Sequence, residues 1–360
     1  MNIQHAIDRW VRPEIKALAA YHVPDSSGLI KLDAMENPYT WPEALRQEWL
    51  ELLHRTDVNR YPDPQGTELK QRLRINMDIP EDAGLLLGNG SDELIQMLAL
   101  TLAGPDRVVL SVEPSFVMYR MIALFAGMPY QGVPLKSTDF SLDLPALMTA
   151  IEQHQPAIIY LAYPNNPTGN LFDAAEIRQI IDAAPGLVIV DEAYAPFTNA
   201  SFMGEVGRYP NLLVMRTLSK LGLAGLRLGL LAGPKPWLDE IDKTRLPYNI
   251  NTLTQSSAEF ALCHESVFDK QTSLIRQERS QLFAALDNID GLSPYSSDAN
   301  FILVRMPTDR ANEIHSAMKK SGVLVKNLNG SHSMLTDCLR ITVGTPEENR
   351  TAINALKAAL

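Results

Sequence analysis

The chain has 360 residues, 46% of them hydrophobic and 21% charged, which excludes a disordered or fibrous protein and leaves room for two domains around a large core. The formal net charge of −10 argues against a broad surface for nucleic acid or anionic membrane, so a bound anion is expected to be held by a few local groups. Cys263 and Cys338 stand without paired spacing, which supports neither a disulfide framework nor a thiolate metal site, and the reducing cytoplasm is the expected compartment.

The N-terminus, MNIQHAIDRW, lacks a basic region followed by an apolar core, and no stretch reaches the roughly 18 uncharged apolar residues of a membrane span. Residues 1–40 read as a Pro-punctuated arm with one short strand-like run at Leu29 to Leu32. Pro42 is the candidate first residue of a helix over PEALRQEWLELLH, and Thr67 is the candidate cap of TELKQRLRINM. Between them NRYPDPQG is a turn-rich loop that carries Tyr61. A short strand at Leu85 to Leu87 then runs into GNGSDE, where Ser91 is the candidate cap of an apolar helix.

From Arg107 to Ala232 short apolar runs alternate with helical segments, with strands expected at RVVLSV, AIIYLAY, LVIVDEA, NLLVMRT and LRLGLLA. Continuous apolar strands of this kind imply an α/β domain whose sheet is buried on both faces. Beyond about residue 235, two long helical patterns lead to a second unit with FILVR, VLVK and CLRITV as strands and a terminal helix.

Ligands of doubly covered sheets gather at strand C-termini, and the residues of chemical interest fall there. Asn166 follows AIIYLAYPN, Asp191 and Tyr194 follow LVIV, and Lys220 follows NLLVMRTLS. Lys220 stands among small and apolar residues, and a desolvated lysine with a cation nearby, for which Arg227 is the candidate, is a neutral nucleophile toward carbonyls. Asp191, directly after an apolar strand, needs a partner; an arginine or a helix start are the ordinary ones. GNGSDE offers backbone N–H groups at a helix start, where a phosphate can bind, but it lacks the GxGxxG spacing of a dinucleotide site.

YPNNPTG, DEAY and TLSK followed by LAGLRLG, in this order and at these separations, resemble the fold type I pyridoxal-phosphate aminotransferases. LDAMENPY, RYPDPQG, LGNGSDE, EPSFVMY, ANFILVR and CLRITVGT extend the resemblance over nearly the whole chain and point to the histidinol-phosphate aminotransferase family. The resemblance implies a large domain over 36–245 with a mainly parallel sheet flanked by helices. It further implies a smaller α+β domain over 246–360 and an N-terminal arm, 1–35, that joins the small domain.

By the same resemblance Lys220 would carry pyridoxal 5′-phosphate and move the substrate proton. Asp191 would pair with the ring nitrogen, Asn166 and Tyr194 would bond its 3-oxygen, and Phe116 would stack on the ring. Gly90, Ser91, Asp92, Thr217, Ser219 and Arg227 would form the phosphate cup, with Tyr61 reaching it from the neighbouring subunit of a homodimer. Tyr21, Asn37, Asn300, Lys326 and Arg340 would receive the substrate, and no metal is implied. The loop from Lys220 to Arg227 is one residue shorter than in some members, and Lys326 stands where members often carry arginine. Amino transfer from L-histidinol phosphate to 2-oxoglutarate in histidine biosynthesis is the activity expected. Aromatic amino-acid aminotransferases and threonine-phosphate decarboxylases share these motifs, and a non-catalytic cofactor-binding relative is the remoter alternative.

Overall fold

The computed structural model describes residues 2–20 and 23–360. Its strands are β1 (Ile30–Leu32), β2 (Gly84–Gly88), β3 (Val109–Glu113), β4 (Tyr130–Pro134), β5 (Ile158–Ala162), β6 (Leu187–Asp191), β7 (Leu212–Thr217), β8 (Gly229–Gly233), β9 (Ser293–Pro294), β10 (Phe301–Arg305), β11 (Val323–Asn327) and β12 (Cys338–Thr342). They form two sheets, one of seven strands in the order β2-β8-β7-β6-β5-β3-β4 and one of five in the order β1-β11-β12-β10-β9.

In the larger sheet β3 to β7 are parallel, while β8 runs antiparallel to both β2 and β7. Every residue of β5, β6 and β8 is buried. Side chains alternate between two cores, so Ile159 and Leu161 pack on one face and Ile158, Tyr160 and Ala162 on the other. That is why these strands read as unbroken apolar runs: both faces are covered, and each buried aliphatic chain contributes about 1.5–3 kcal/mol. Polar groups are thereby displaced to the strand ends.

The smaller sheet is mixed. Its β1 comes from the N-terminal arm and pairs in parallel with β11, Ile30 opposite Val323, while β12 lies antiparallel between β10 and β11. Leu339, Ile341, Val323 and Val325 face a core that includes Ile314 and Met318 of the helix Ala311–Lys320 and Leu356 of Pro346–Ala359. Leu303 and Cys338 turn the other way and join a core of the larger sheet. Arg340, between Leu339 and Ile341 on β12, takes that same direction.

Three helix starts differ from the sequence reading, the first because Pro42, with extended ψ of 145°, caps Glu43–His54 instead of opening it. Thr67 is the first helical residue rather than the cap; Gly66, at φ +57°, precedes it, and the Thr67 N–H donates to Asp63 Oδ2 at 2.7 Å. Gly90 likewise caps Ser91–Leu102 with φ +84°, so Ser91 is the first helical residue. In these last two places a residue one position earlier adopts the positive φ that glycine tolerates. β4, YQGVP, carries no apolar run because it is an edge strand with mostly half-exposed residues.

Candidate active site

The ends of β5, β6 and β7, three adjacent parallel strands, open onto one cavity of about 250 Å³. Ten residues singled out from the sequence line it: Ser91, Asp92, Phe116, Asn166, Asp191, Tyr194, Thr217, Ser219, Lys220 and Arg227. Ala34, Met35, Glu36 and Tyr119, which the sequence reading did not select, line it too.

Asp191 ends β6 and is only 4% exposed. Its Oδ2 accepts from the Tyr119 hydroxyl at 2.6 Å and its Oδ1 from the Ala193 N–H at 3.1 Å. Burial pushes its pKa up to about 6, against the lowering effect of these two donors. The arginine expected as a possible partner goes instead to the next residue: Arg216 Nε donates to Glu192 Oε2 at 2.9 Å on the opposite side of the strand ends. Strand alternation accounts for this, since Asp191 and Glu192 leave β6 toward opposite faces.

Lys220 lies in the wide helical turn Ser219–Leu223 that follows β7. Its Nζ donates to the Ala34 carbonyl at 3.1 Å and stands 5.9 Å from the centre of the Tyr194 ring. Burial lowers its pKa to about 8, and the leading cation beside it is Arg340; Arg227, the candidate from the sequence, contributes less. Gly222 gives the turn its shape at φ +123°, where a Cβ would come within 2.9 Å of Asn37 Nδ2.

Asn166 donates from Nδ2 to the Tyr194 hydroxyl at 3.1 Å, and that hydroxyl donates to Met35 Sδ at 3.6 Å. Asn166 Oδ1 accepts from Arg340 Nη1, and Arg340 Nη2 donates to the Asp33 carbonyl at 3.0 Å. Thr217 Oγ1 donates to Ser219 Oγ at 2.9 Å and accepts from the Ser219 N–H at 3.1 Å.

At the far end of the cavity Arg227, itself at φ +50°, leans over the start of Ser91–Leu102. A Cβ at Gly90 would lie 2.5 Å from Arg227 Nη2, so only glycine permits this approach. Asp92 Oδ2 is 3.7 Å from Arg227 Nη2, while Asp92 Oδ1 is buried without a hydrogen-bond partner. Exposed N–H groups at the helix start, a guanidinium and a cradle that a side chain would fill make this end suited to a phosphate. The other end offers a buried carboxylate for a heteroaromatic cation and a buried amine for a carbonyl. The donor set therefore fits pyridoxal 5′-phosphate.

The remaining candidates are dispersed. Asn37 Nδ2 is used by the Leu221 carbonyl and Gln271 Oε1, both at 3.0 Å, and so ties the arm to the lysine turn. Asn300 donates to the Met35 carbonyl at 3.0 Å. Lys326 stands directly opposite Arg340 in the β11–β12 register, which places both side chains on one face. Tyr61 is 79% exposed and stacked on Tyr248 with ring centres 4.3 Å apart. Tyr21 lies outside the described residues. Among the described residues there is no cluster of three or more His, Cys, Asp or Glu side chains that could hold a metal, and no helix is long and apolar enough to cross a membrane.

Residues 27–356 match the family model described as "Aminotransferase class I and II". With the fold and the lysine-bearing cavity, this match defines an aminotransferase of class I and II. Over 98% of both chains the sequence is 57% identical to histidinol-phosphate aminotransferase 2 of Nitrosococcus oceani, and it is 51% identical to histidinol-phosphate aminotransferase of Chromobacterium violaceum at the same coverage. The fold is that of the crystal structure of histidinol-phosphate aminotransferase from Sinorhizobium meliloti in complex with pyridoxal-5′-phosphate. The TM-score to that structure is 0.86 and the identity 22%, over 98% of this chain and 97% of that one. The chain belongs to the histidinol-phosphate aminotransferase family, pyridoxal-phosphate-dependent enzymes of histidine biosynthesis.

Proposed function

We propose that this chain transfers the amino group of L-histidinol phosphate to 2-oxoglutarate, giving imidazole-acetol phosphate and glutamate, as a cytoplasmic homodimer. The observation that carries the reading is that a buried lysine, Lys220, and a buried carboxylate, Asp191, line one cavity at the ends of adjacent parallel strands, with burial lowering the amine's pKa to about 8. A buried amine lowered toward neutral pH suits proton transfer, and a buried carboxylate that is still an anion at pH 7 suits a cationic ring nitrogen.

Pyridoxal 5′-phosphate, when bound, supplies an electron sink for the carbon that loses its proton. Lys220 would hold the cofactor through its Nζ, and the same amine is placed to carry the proton at the substrate carbon. Asp191 supplies the negative charge that keeps the ring nitrogen protonated. Tyr194 and Asn166, already bonded to each other, donate to the ring oxygen, and Phe116 covers the ring face. Gly90, Ser91, Asp92, Thr217, Ser219 and Arg227 hold the phosphate, and Tyr61 reaches it from the neighbouring subunit.

Arg340 is the anchor for the substrate's anionic groups, and Lys326, on the same sheet face, is the second cation for a phosphate. Asn300 holds Met35, which lines the cavity, and Asn37 holds the lysine turn through the Leu221 carbonyl; both remain candidates for the substrate, as Tyr21 does by the resemblance. The two sheets support a large and a small domain, with the arm's strand β1 built into the small sheet; Ile250, Ala258, Ala261 and Leu262 pack in a core of the larger sheet, which moves the boundary beyond the 245/246 read from the sequence.

The test compares histidinol phosphate with phenylalanine, tyrosine and threonine phosphate as amino donors to 2-oxoglutarate, with carbon dioxide release followed in parallel. The expected result is a kcat/KM for histidinol phosphate at least about tenfold above the aromatic amino acids, the scale of one charge-assisted contact. Preference for an aromatic amino acid, or release of carbon dioxide from threonine phosphate, would overturn the reading.

A further inference from the structure

Tyr119 is absent from every role assigned above, yet its side chain joins two of the groups that do have one. It lies in the helix Val117–Ala126 and is 1% exposed. Its hydroxyl donates to Asp191 Oδ2 at 2.6 Å, and its ring meets the edge of Phe116 at 84° with centres 5.4 Å apart. On its other side the Tyr160 ring of β5 is stacked almost parallel to it, 4° between planes and 4.5 Å between centres. Tyr160 makes no hydrogen bond through its own buried hydroxyl, so its ring acts here as a plate that fixes Tyr119.

We propose that Tyr119 is a positioning residue for amino transfer: its hydroxyl holds the Asp191 carboxylate ionised and in one orientation, while its ring braces Phe116. The inference rests on the reading of Asp191 as the partner of the cofactor's ring nitrogen. A buried carboxylate without a cation stays charged only if donors replace its water. Asp191 has two, and the Ala193 N–H at 3.1 Å is the longer. Burial and the neighbouring Asp191 raise the Tyr119 pKa well above the usual phenol value, so the hydroxyl remains a donor throughout the working range.

The consequence is a pH dependence of cofactor retention. The cofactor needs Asp191 as an anion, so retention falls as pH drops through the carboxyl's pKa, about 6 in the native chain. The other titratable groups facing Asp191 are Tyr160, Tyr194 and Asp92, with Glu192 acting on it from the opposite face, and none of them is altered by a substitution at Tyr119. Tyr119→Phe keeps the ring stack and removes one donor, so the fall must begin at higher pH.

The experiment dilutes the holoenzyme across pH 5 to 9 and reads release of pyridoxal 5′-phosphate by its visible absorbance. For Tyr119→Phe the dissociation constant is expected to match wild type near pH 9 and to be about tenfold weaker near pH 6.5. 3-Fluorotyrosine at position 119, a stronger donor of nearly the same size, is expected to move the fall to lower pH. It also serves as the test should Tyr119→Phe not fold. Parallel release curves for either variant and wild type would overturn the proposal and leave Tyr119 a packing residue.

Asp191→Asn separates the two readings. It should weaken retention at all pH values and remove the part of the acid-side fall centred near pH 6, leaving the part that the Lys220 amine contributes at higher pH. If it does so while the Tyr119 variants change nothing, only the role of Tyr119 fails. If Asp191→Asn retains cofactor like wild type, the reading of Asp191 fails and this inference with it.

Discussion

Arg340, on β12 of the five-stranded sheet, donates through Nη1 to Oδ1 of Asn166, just beyond β5 of the seven-stranded sheet. The amide nitrogen of Asn166 in turn donates to the Tyr194 hydroxyl at 3.1 Å. The group proposed to receive the substrate and the groups proposed to hold the cofactor's oxygen therefore belong to one hydrogen-bonded chain. On that proposal, substrate charge drawing on Arg340 would change what Asn166 and Tyr194 offer to the ring.

Lys220 is expected to be the lysine that carries the cofactor. Borohydride treatment of the holoenzyme should fix pyridoxal 5′-phosphate to a single peptide containing Lys220. The exposed Lys235 and Lys243, paired with Asp239 and Glu240, should remain unmodified. Because only the neutral amine reacts, the rate at which cofactor-free enzyme captures the cofactor should rise with pH around a midpoint near 8, the value to which burial lowers this amine. Lys220→Ala should bind cofactor reversibly and lose transamination.

Asp191→Asn is expected to lower turnover by at least about 100-fold, the scale of one preorganised electrostatic partner. Its effect on the cofactor-free protein should have the opposite sign. The native carboxyl, with a pKa of about 6 against 3.8 for the ordinary group, binds protons that the unfolded chain has released. Native stability therefore falls as pH rises from about 4 to 6 and stays reduced above that window. Thermal melts should show Asp191→Asn more stable than wild type at pH 7 and the advantage shrinking toward pH 4. A variant with unchanged turnover would reduce Asp191 to a satisfied buried carboxylate.

Much of this site was legible in the sequence because strand order and strand ends carry it. Asn166, Asp191 and Lys220 each follow a fully apolar run, and a sheet covered on both faces brings such ends together. Tyr119 was illegible for a physical reason: it sits inside an apolar helix, where an aromatic residue reads as core, and only its distance to Asp191 reveals the hydroxyl's use. The roles of Arg216 and Glu192 were also hidden, since adjacent residues at a strand end look alike until the face each one takes is known. β4 escaped because an edge strand needs no continuous apolar run.

Tyr61 should complete the active site of the neighbouring subunit. It is exposed and stacked on Tyr248, with Val58 and Leu246 also exposed by about 70% or more, an apolar surface unusual for a region left facing water. Mixing Lys220→Ala with Tyr61→Ala chains under conditions of subunit exchange should restore activity to about one quarter of wild-type sites. Half of the dimers are then mixed, and each mixed dimer holds one site with both residues intact. Mixed dimers that form and remain inactive would assign Tyr61 to its own subunit's site or to neither.

The two substrates differ in charge, and the β11–β12 register separates the residues that meet that difference. Arg340 is buried and donates to Asn166 and to the Asp33 carbonyl, and a guanidinium can pair bidentately with either carboxylate or phosphate. Lys326, opposite it on the neighbouring strand, is half-buried and brings a point charge on a flexible stem. A phosphate spreads more charge over three oxygens than a carboxylate does over two, so it should draw on both cations. Arg340→Gln is therefore expected to weaken both half-reactions, with histidinol phosphate and with glutamate. Lys326→Gln should raise the KM for histidinol phosphate by about tenfold and leave that for glutamate within about threefold, the pattern of one lost charge-assisted contact near 1.5 kcal/mol. Steady-state kinetics of the two half-reactions, measured separately, check both statements. Equal and small effects of Lys326→Gln on the two substrates would make it a strand-end surface lysine and leave the phosphate to Arg340.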